Sequence, residues 1–166
     1  MKFQKTTTLC RVAMIGAFYT ALTWLCGLFG LASMPIQLRL SEALCVLPFF
    51  MPEAILGLTI GCFLSNLLVS GGVWADVIFG TLATLIGALG TYGMRRLKGK
   101  LRFACVLPPI LANTVIVPFV LKYAYGLSDG WFLMAAGVGV GDILSVGVFG
   151  IFLMLAIEKL PFWRKK

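Results

Sequence analysis

Residues 73–125 read VWADVIFGTLATLIGALGTYGMRRLKGKLRFACVLPPILANTVIVPFVLKYAY, two apolar runs separated by the basic octet RRLKGKLR. Each run matches the ~20 apolar residues a helix needs to cross ~30 Å of hydrocarbon. A short basic segment between two spans stays on the cytoplasmic side. This hairpin sets the reading of the rest of the chain. Further apolar runs cover 10–31, 42–51, 53–70 and 131–158. They lack the alternating ~10-residue pattern of a barrel strand.

Composition agrees. Mean hydropathy is +1.01 and 60% of the 166 residues are apolar against 12% charged, outside the range of a soluble domain. A water-soluble fold of this size has too much exterior to hide that surface. Twelve of the fourteen Lys and Arg residues stand in three clusters: Lys2, Lys5 and Arg11; Arg95 to Arg102; and Lys159 with Arg164 to Lys166. All three are expected inside. The net charge of +8 is then a topology signal rather than a nucleic-acid surface, because the basic residues flank spans and form no stripe.

Even numbers of spans must separate the clusters, which gives four before the octet and two after it. The expected fold is therefore an all-α integral membrane protein, one domain over 1–166, with six transmembrane helices and both termini cytoplasmic. The run 42–51 is short for a span and contains Pro48, so it is expected to start earlier, tilt or break. The run 131–158 is long, so 126–136 is expected to be partly an outer loop, with the span starting near Val138. The start resembles a signal peptide, with small residues at Ala32 and Ser33. Its apolar stretch is too long for one, and cleavage would break the parity.

The chain has no histidine, which excludes Ser-His triads, His-ligated metals and most proton-shuttle enzymes. No P-loop occurs, and GVGVGD (137–142) lacks dinucleotide-loop spacing and reads as close helix packing. The five cysteines show no CxxC and read as space-filling residues. Neither a resident cofactor nor a metal is expected, nor an enzymatic activity. Small residues recur at four-residue spacing: Ala13, Ala17 and Ala21 on the first helix, Gly57 and Gly61 on the third. Such ridges bring helices together in lipid. Three successive alanines suit a partner helix.

The remaining polar residues are costly at membrane depth and carry a functional expectation. Gln37, Arg39, Glu42, Asn66, Asp76, Asn113 and Asp142 fall toward the outer halves of the spans, as do Lys122 and Asp129. A purely structural alternative pairs Arg39 with Glu42 and makes Asp76 a helix cap. Glu53 reads as the cap of a cytoplasmic turn and Glu158 as the inner boundary. With Trp74, Tyr123, Tyr125, Trp131 and Phe132 nearby, the residues suggest an outward-opening cup for a flat polar heterocycle.

PIQLRLSEALCVLPFFMPEAILGLTIGCFLSNLL (35–68), WADVIFGTLATLIGALGTY (74–92) and LPPILANTVIVPFVL (107–121) resemble the QueT family of S components of energy-coupling factor (ECF) transporters. The resemblance covers nearly the whole chain through the RxSEAL, DVxFGTLATL and PPxxxN motifs. It implies an S-component-like six-helix bundle in a bacterial cell membrane, surrounded by lipid. It implies binding of a queuosine precursor, a 7-deazaguanine such as 7-aminomethyl-7-deazaguanine or queuine, and docking on a transmembrane coupling subunit and two cytoplasmic ATPases. Ala13, Ala17 and Ala21 stand where the family presents its docking helix. Asp142 stands where the family pattern has Glu. On this reading Glu42 accepts from N1–H and the 2-amino group, Gln37 or Asn113 serves O6 or the pyrrole side, and Asp142 or Asp76 pairs with an aminomethyl group. The loop 32–41 is expected to act as a lid. An S component for a different vitamin and a stand-alone secondary carrier are the alternatives.

Overall fold

A computed structural model of the protein describes residues 2–30, 38–69, 71, 73–126 and 130–160. Among the described residues every regular element is helical. Six elements follow in order: α1 (Lys2–Leu28), α2 (Leu40–Phe49), α3 (Glu53–Val69), α4 (Trp74–Gly93), α5 (Gly99–Tyr123) and α6 (Trp131–Lys159). Four segments are long and apolar enough to cross a membrane: Lys5–Leu28, Trp74–Arg96, Gly99–Tyr123 and Trp131–Lys159. Leu56, Phe79, Leu111 and Phe152 are each 48–66% exposed on the outside of the bundle, where only lipid suits them.

The two shorter elements solve their length problem differently. The seventeen residues of α3 rise about 26 Å as an α-helix. The ten residues of α2 form a 3₁₀ helix, whose larger rise carries them about 20 Å where an α-helix would cover 15. Pro48 sits inside α2 and contributes no donor there. The element is also the most enclosed one: Ser41 to Cys45, apart from Leu44, and Val46 to Pro48 are buried. It threads the middle of the bundle, where lipid thickness does not set its length.

The direction of each element follows from its contacts. Gly16 of α1 meets Gly57 and Gly61 of α3, and Gly27 meets Val69, so α1 and α3 run parallel. Tyr19 reaches Glu42 while Thr23 reaches Ser41, so α2 returns antiparallel to α1. Gly80 lies against Asn66 and Gly87 against Pro109, which sets α4 antiparallel to both α3 and α5. Gly139 lies on Thr114 and Phe119 on Trp131, which makes α6 antiparallel to α5. The elements thus alternate, and the start of α1 and the end of α6 lie at one end of the bundle. Ion pairs between Arg11 and Glu53 and between Arg102 and Glu158, both 2.8 Å, stitch that end, with Ala54 and Ile157 packed between them.

Small residues create these close approaches. A Cβ on Gly57 would lie 2.8 Å from that of Ile15, and one on Gly87 would lie 2.6 Å from the Pro109 backbone. The buried face of α1 is Val12, Gly16, Tyr19, Thr23 and Cys26, a helical seam of spacing three and four. Ala13, Ala17 and Ala21 lie off that seam and are exposed. The helix begins at Trp131 and not near Val138 as expected, so the outer-loop part of 126–136 is confined to the residues before it, and the segment exceeds the membrane requirement. Its middle, Ile143–Gly150, winds as π-helix directly after Asp142. Such widened turns gather at functional sites.

Candidate functional site

Four elements, α2, α4, α5 and α6, bring polar side chains to one place. A small cavity of about 10 Å³ is lined by Arg39, Glu42, Gly80, Thr84, Asn113, Val117, Val138 and Asp142. That is room for about one water-sized body. Of the residues singled out in the sequence, Arg39, Glu42, Asn113 and Asp142 line it directly. Asn66 and Asp76 stand beside it, and Gln37 lies outside the described residues, as does Asp129.

The cavity floor centres on Glu42, which is 2% exposed. The Tyr19 hydroxyl donates to its Oε1, and the Cys45 thiol donates to Oε2 at 3.1 Å. Across the cavity, Asp142 is 4% exposed. Its Oδ2 has no hydrogen-bond partner. Ser145, three residues on and on the same helix face, also holds a buried hydroxyl without a partner. Asn113 sits in the turn before Pro118, whose missing N–H frees the Thr114 carbonyl from its helical bond.

A second network closes the cavity on the side away from the Arg11 and Arg102 ion pairs. Arg39 Nη1 donates to Asn66 Oδ1 at 3.1 Å, and Nη2 lies 4.0 Å from Asp76 Oδ2. Asn66 in turn donates to the Asp76 carbonyl at 3.3 Å, and the Tyr125 hydroxyl donates to Asp76 Oδ2 at 3.2 Å. The Tyr125 phenol is pushed up to about 12, first by burial and then by the Asp76 charge, which keeps it a donor. Arg39 therefore pairs with Asp76 and not with Glu42, and the Asp76 side chain spans elements instead of capping α4.

Of the aromatics in the sequence reading, Tyr125 meets Asp76 beside the cavity, and the others stand outside its lining. Trp74, Tyr123 and Phe132 are 64%, 76% and 83% exposed and do not line the cavity. Their place at the helix ends suits the aromatic belt of a membrane interface. Tyr19, Thr84 and Cys45 are site residues that the sequence reading missed. The cysteines do more than fill space, since Cys62 accepts from Thr84 at 3.2 Å and from Asn66 at 3.4 Å. A Cβ on Gly80 would lie 2.6 Å from the Asn66 amide nitrogen and would push that side chain out of its hydrogen bonds to Arg39 and Asp76. No group of three or more potential metal ligands occurs among the described residues.

The model of the QueT transporter family matches residues 9–159. The chain belongs to the QueT transporter family. A similar protein is the queuosine precursor transporter QueT of Lactococcus lactis subsp. cremoris (strain MG1363), 32% identical over 96% of both chains. No solved structure matches. Family membership and four long apolar helices together make this a multi-pass membrane transport protein. Its polar cavity lies among the helices of that transporter.

Proposed function

We propose that the chain is the substrate-binding S component of an ECF-type importer in a bacterial cell membrane, and that it captures a queuosine precursor of the 7-deazaguanine class from outside. The observation that carries this reading is the cavity itself. It offers two carboxylates, an amide and a hydroxyl inside a membrane bundle, the donor and acceptor set that a guanine-like edge requires. Glu42, held by Tyr19 and Cys45, accepts from N1–H and the 2-amino group, and Asn113 serves O6 or the pyrrole side. A site built to pair such an edge rejects solutes that lack it, since its own buried groups would be left unpaired.

Six spans with both ends cytoplasmic fit the alternating elements and the basic residues at the Arg11 and Arg102 end. The cavity then faces outward beneath the Arg39 network, and the ends face the ATPases. Ala13, Ala17 and Ala21 present a low, exposed ridge on α1 suited to the coupling subunit. ATP hydrolysis belongs to the partner subunits. Because the cavity holds about 10 Å³, far below the roughly 300 Å³ of small-ligand pockets, binding expands the bundle. Titrating purified protein with 7-aminomethyl-7-deazaguanine, guanine and riboflavin tests the assignment. Saturable binding of the deazaguanine with weak or no binding of riboflavin is expected. Equal binding of all three, or of none, overturns it.

A further inference from the structure

We infer that the turn between α4 and α5 is a binding site for anionic phospholipid headgroups in the leaflet at the Arg102 end of the bundle. Arg95, Arg96, Lys98, Lys100 and Arg102 stand close together there, and the sequence has no acidic residue between Asp76 and Asp129. Arg102 is neutralised by Glu158 at 2.8 Å. The other four are exposed and form no ion pair among the described residues. The membrane-length segments Trp74–Arg96 and Gly99–Tyr123 leave only Leu97 and Lys98 between them. A turn that short cannot lift its charges away from the bilayer. Arg95 and Arg96 close one helix and Lys100 opens the next, so the cations are held within about one helical turn, roughly 5 Å, of the hydrocarbon edge. That is the depth of the lipid phosphates.

The surroundings of these charges favour lipid over an acidic protein surface. Leu101, between Lys100 and Arg102, is 68% exposed, and Leu107 a little further along is 48% exposed. A bilayer edge takes both kinds of side chain at once, leucine among the acyl chains and the cation among the phosphates. The Arg95 guanidinium lies 3.8 Å over the Tyr92 ring. Stacking fixes its plane and leaves its N–H groups to a phosphate, which suits the planar fork of arginine. The start of α5 adds to the positive field, since Lys98 provides no side-chain cap and the first N–H groups carry the positive end of the helix dipole. The partner class is thus an anionic phospholipid, held by several cations at fixed depth.

The test titrates detergent-purified protein with phosphatidylglycerol and with phosphatidylcholine of the same acyl chains, reading bound lipid by native mass spectrometry. Each cation near a negative headgroup contributes about fivefold to association, so two engaged cations should favour phosphatidylglycerol by about 25-fold at low salt. Melting temperature measured with each lipid at about 0.5 M salt should show most of that preference screened away. Combining Arg95→Gln, Arg96→Gln, Lys98→Gln and Lys100→Gln should bring the two lipids within about threefold of each other. The milder pair Lys98→Gln and Lys100→Gln, on two exposed side chains, should lower the preference by about fivefold or more and serves if the four-site variant fails to fold. A wild-type preference under about threefold, or one that the variants keep, would overturn the site. Wild-type indifference to the headgroup, together with loss of cellular uptake in the four-site variant, would overturn it in favour of an acidic protein partner.

Discussion

Replacing Gly61 by alanine tests whether packing and binding are one structure. The added methyl would sit 2.8 Å from the Gly16 carbonyl oxygen, 2.8 Å from Tyr19 Cβ and 3.0 Å from Gly16 Cα. Ordinary contact begins near 3.4 Å. Two of these neighbours are backbone and the third is a Cβ, so no rotamer change relieves them. The parallel pair α1 and α3 must separate, at a cost of about 1–3 kcal/mol for an overpacked contact. Separation also stretches the 3.2 Å bond from Thr20 to the Gly61 carbonyl. The same displacement draws Tyr19 from Glu42. Losing a hydrogen bond to a charged acceptor is worth about 1.5–3 kcal/mol, or roughly 10- to 150-fold in affinity if all of it falls on the bound state. Thermal unfolding of the detergent-purified protein and ligand titration measure the two effects together. Gly93→Ala is the control, since nothing lies within 4 Å of a Cβ there. A Gly61→Ala protein matching that control in both melting temperature and affinity would refute the coupling of this helix pair to the site.

Other expectations concern single groups. Glu42→Ala should abolish measurable titration with the deazaguanine, at least about 100-fold, because it removes the acceptor of the base edge; retained affinity would make Glu42 structural. Asp76→Ala leaves the Arg39 guanidinium, with 13% of its side chain exposed, without its counter-charge and should lower stability by about 2–4 kcal/mol in a thermal melt. An unchanged melt would show that the 4.0 Å pair contributes nothing. Ala17→Phe, on the exposed ridge of α1, should spare ligand binding by the isolated subunit yet abolish uptake by cells carrying the full transporter; normal uptake would remove the docking assignment. A phenol with its ionisation pushed up to about 12 stays neutral as pH rises, so Tyr125 keeps donating to Asp76. Wild-type and Tyr125→Phe proteins should therefore show parallel binding profiles from about pH 6 to pH 10, and divergence would contradict this.

What the sequence revealed and what it hid divide along physical lines. Long apolar runs and the clustered charges made the helices and their alternation legible, because both are properties of local composition. The Gly57–Gly61 ridge was equally readable, since small residues one turn apart have few other uses in lipid. The pairing of polar residues was not. Arg39 stands three residues from Glu42 but thirty-seven from Asp76, and only the turn of α3 into α4 brings Asp76 to it. Tyr19 was hidden by its surroundings, an aromatic in an apolar run, where nothing marks the one hydroxyl aimed inward. Trp74, Tyr123 and Phe132 misled for the converse reason: an aromatic at a helix end serves a membrane interface or a pocket with the same letters. The 3₁₀ winding of α2 could not be read either, because it follows from enclosure by the other elements and not from its own residues.

The network of Arg39, Asn66, Asp76 and Tyr125 has a bearing on affinity that is separate from contact with the ligand. A solute that needs the cavity opened binds only the fraction of molecules whose seal is broken, and the measured Kd is the intrinsic one divided by that fraction. Every tenfold gain in closure then weakens uptake from dilute medium tenfold, with the chemistry around Glu42 and Asp142 untouched. Asn66, Asp76 and Tyr125, which stand outside the cavity lining, thereby act on the concentration at which the transporter begins to fill.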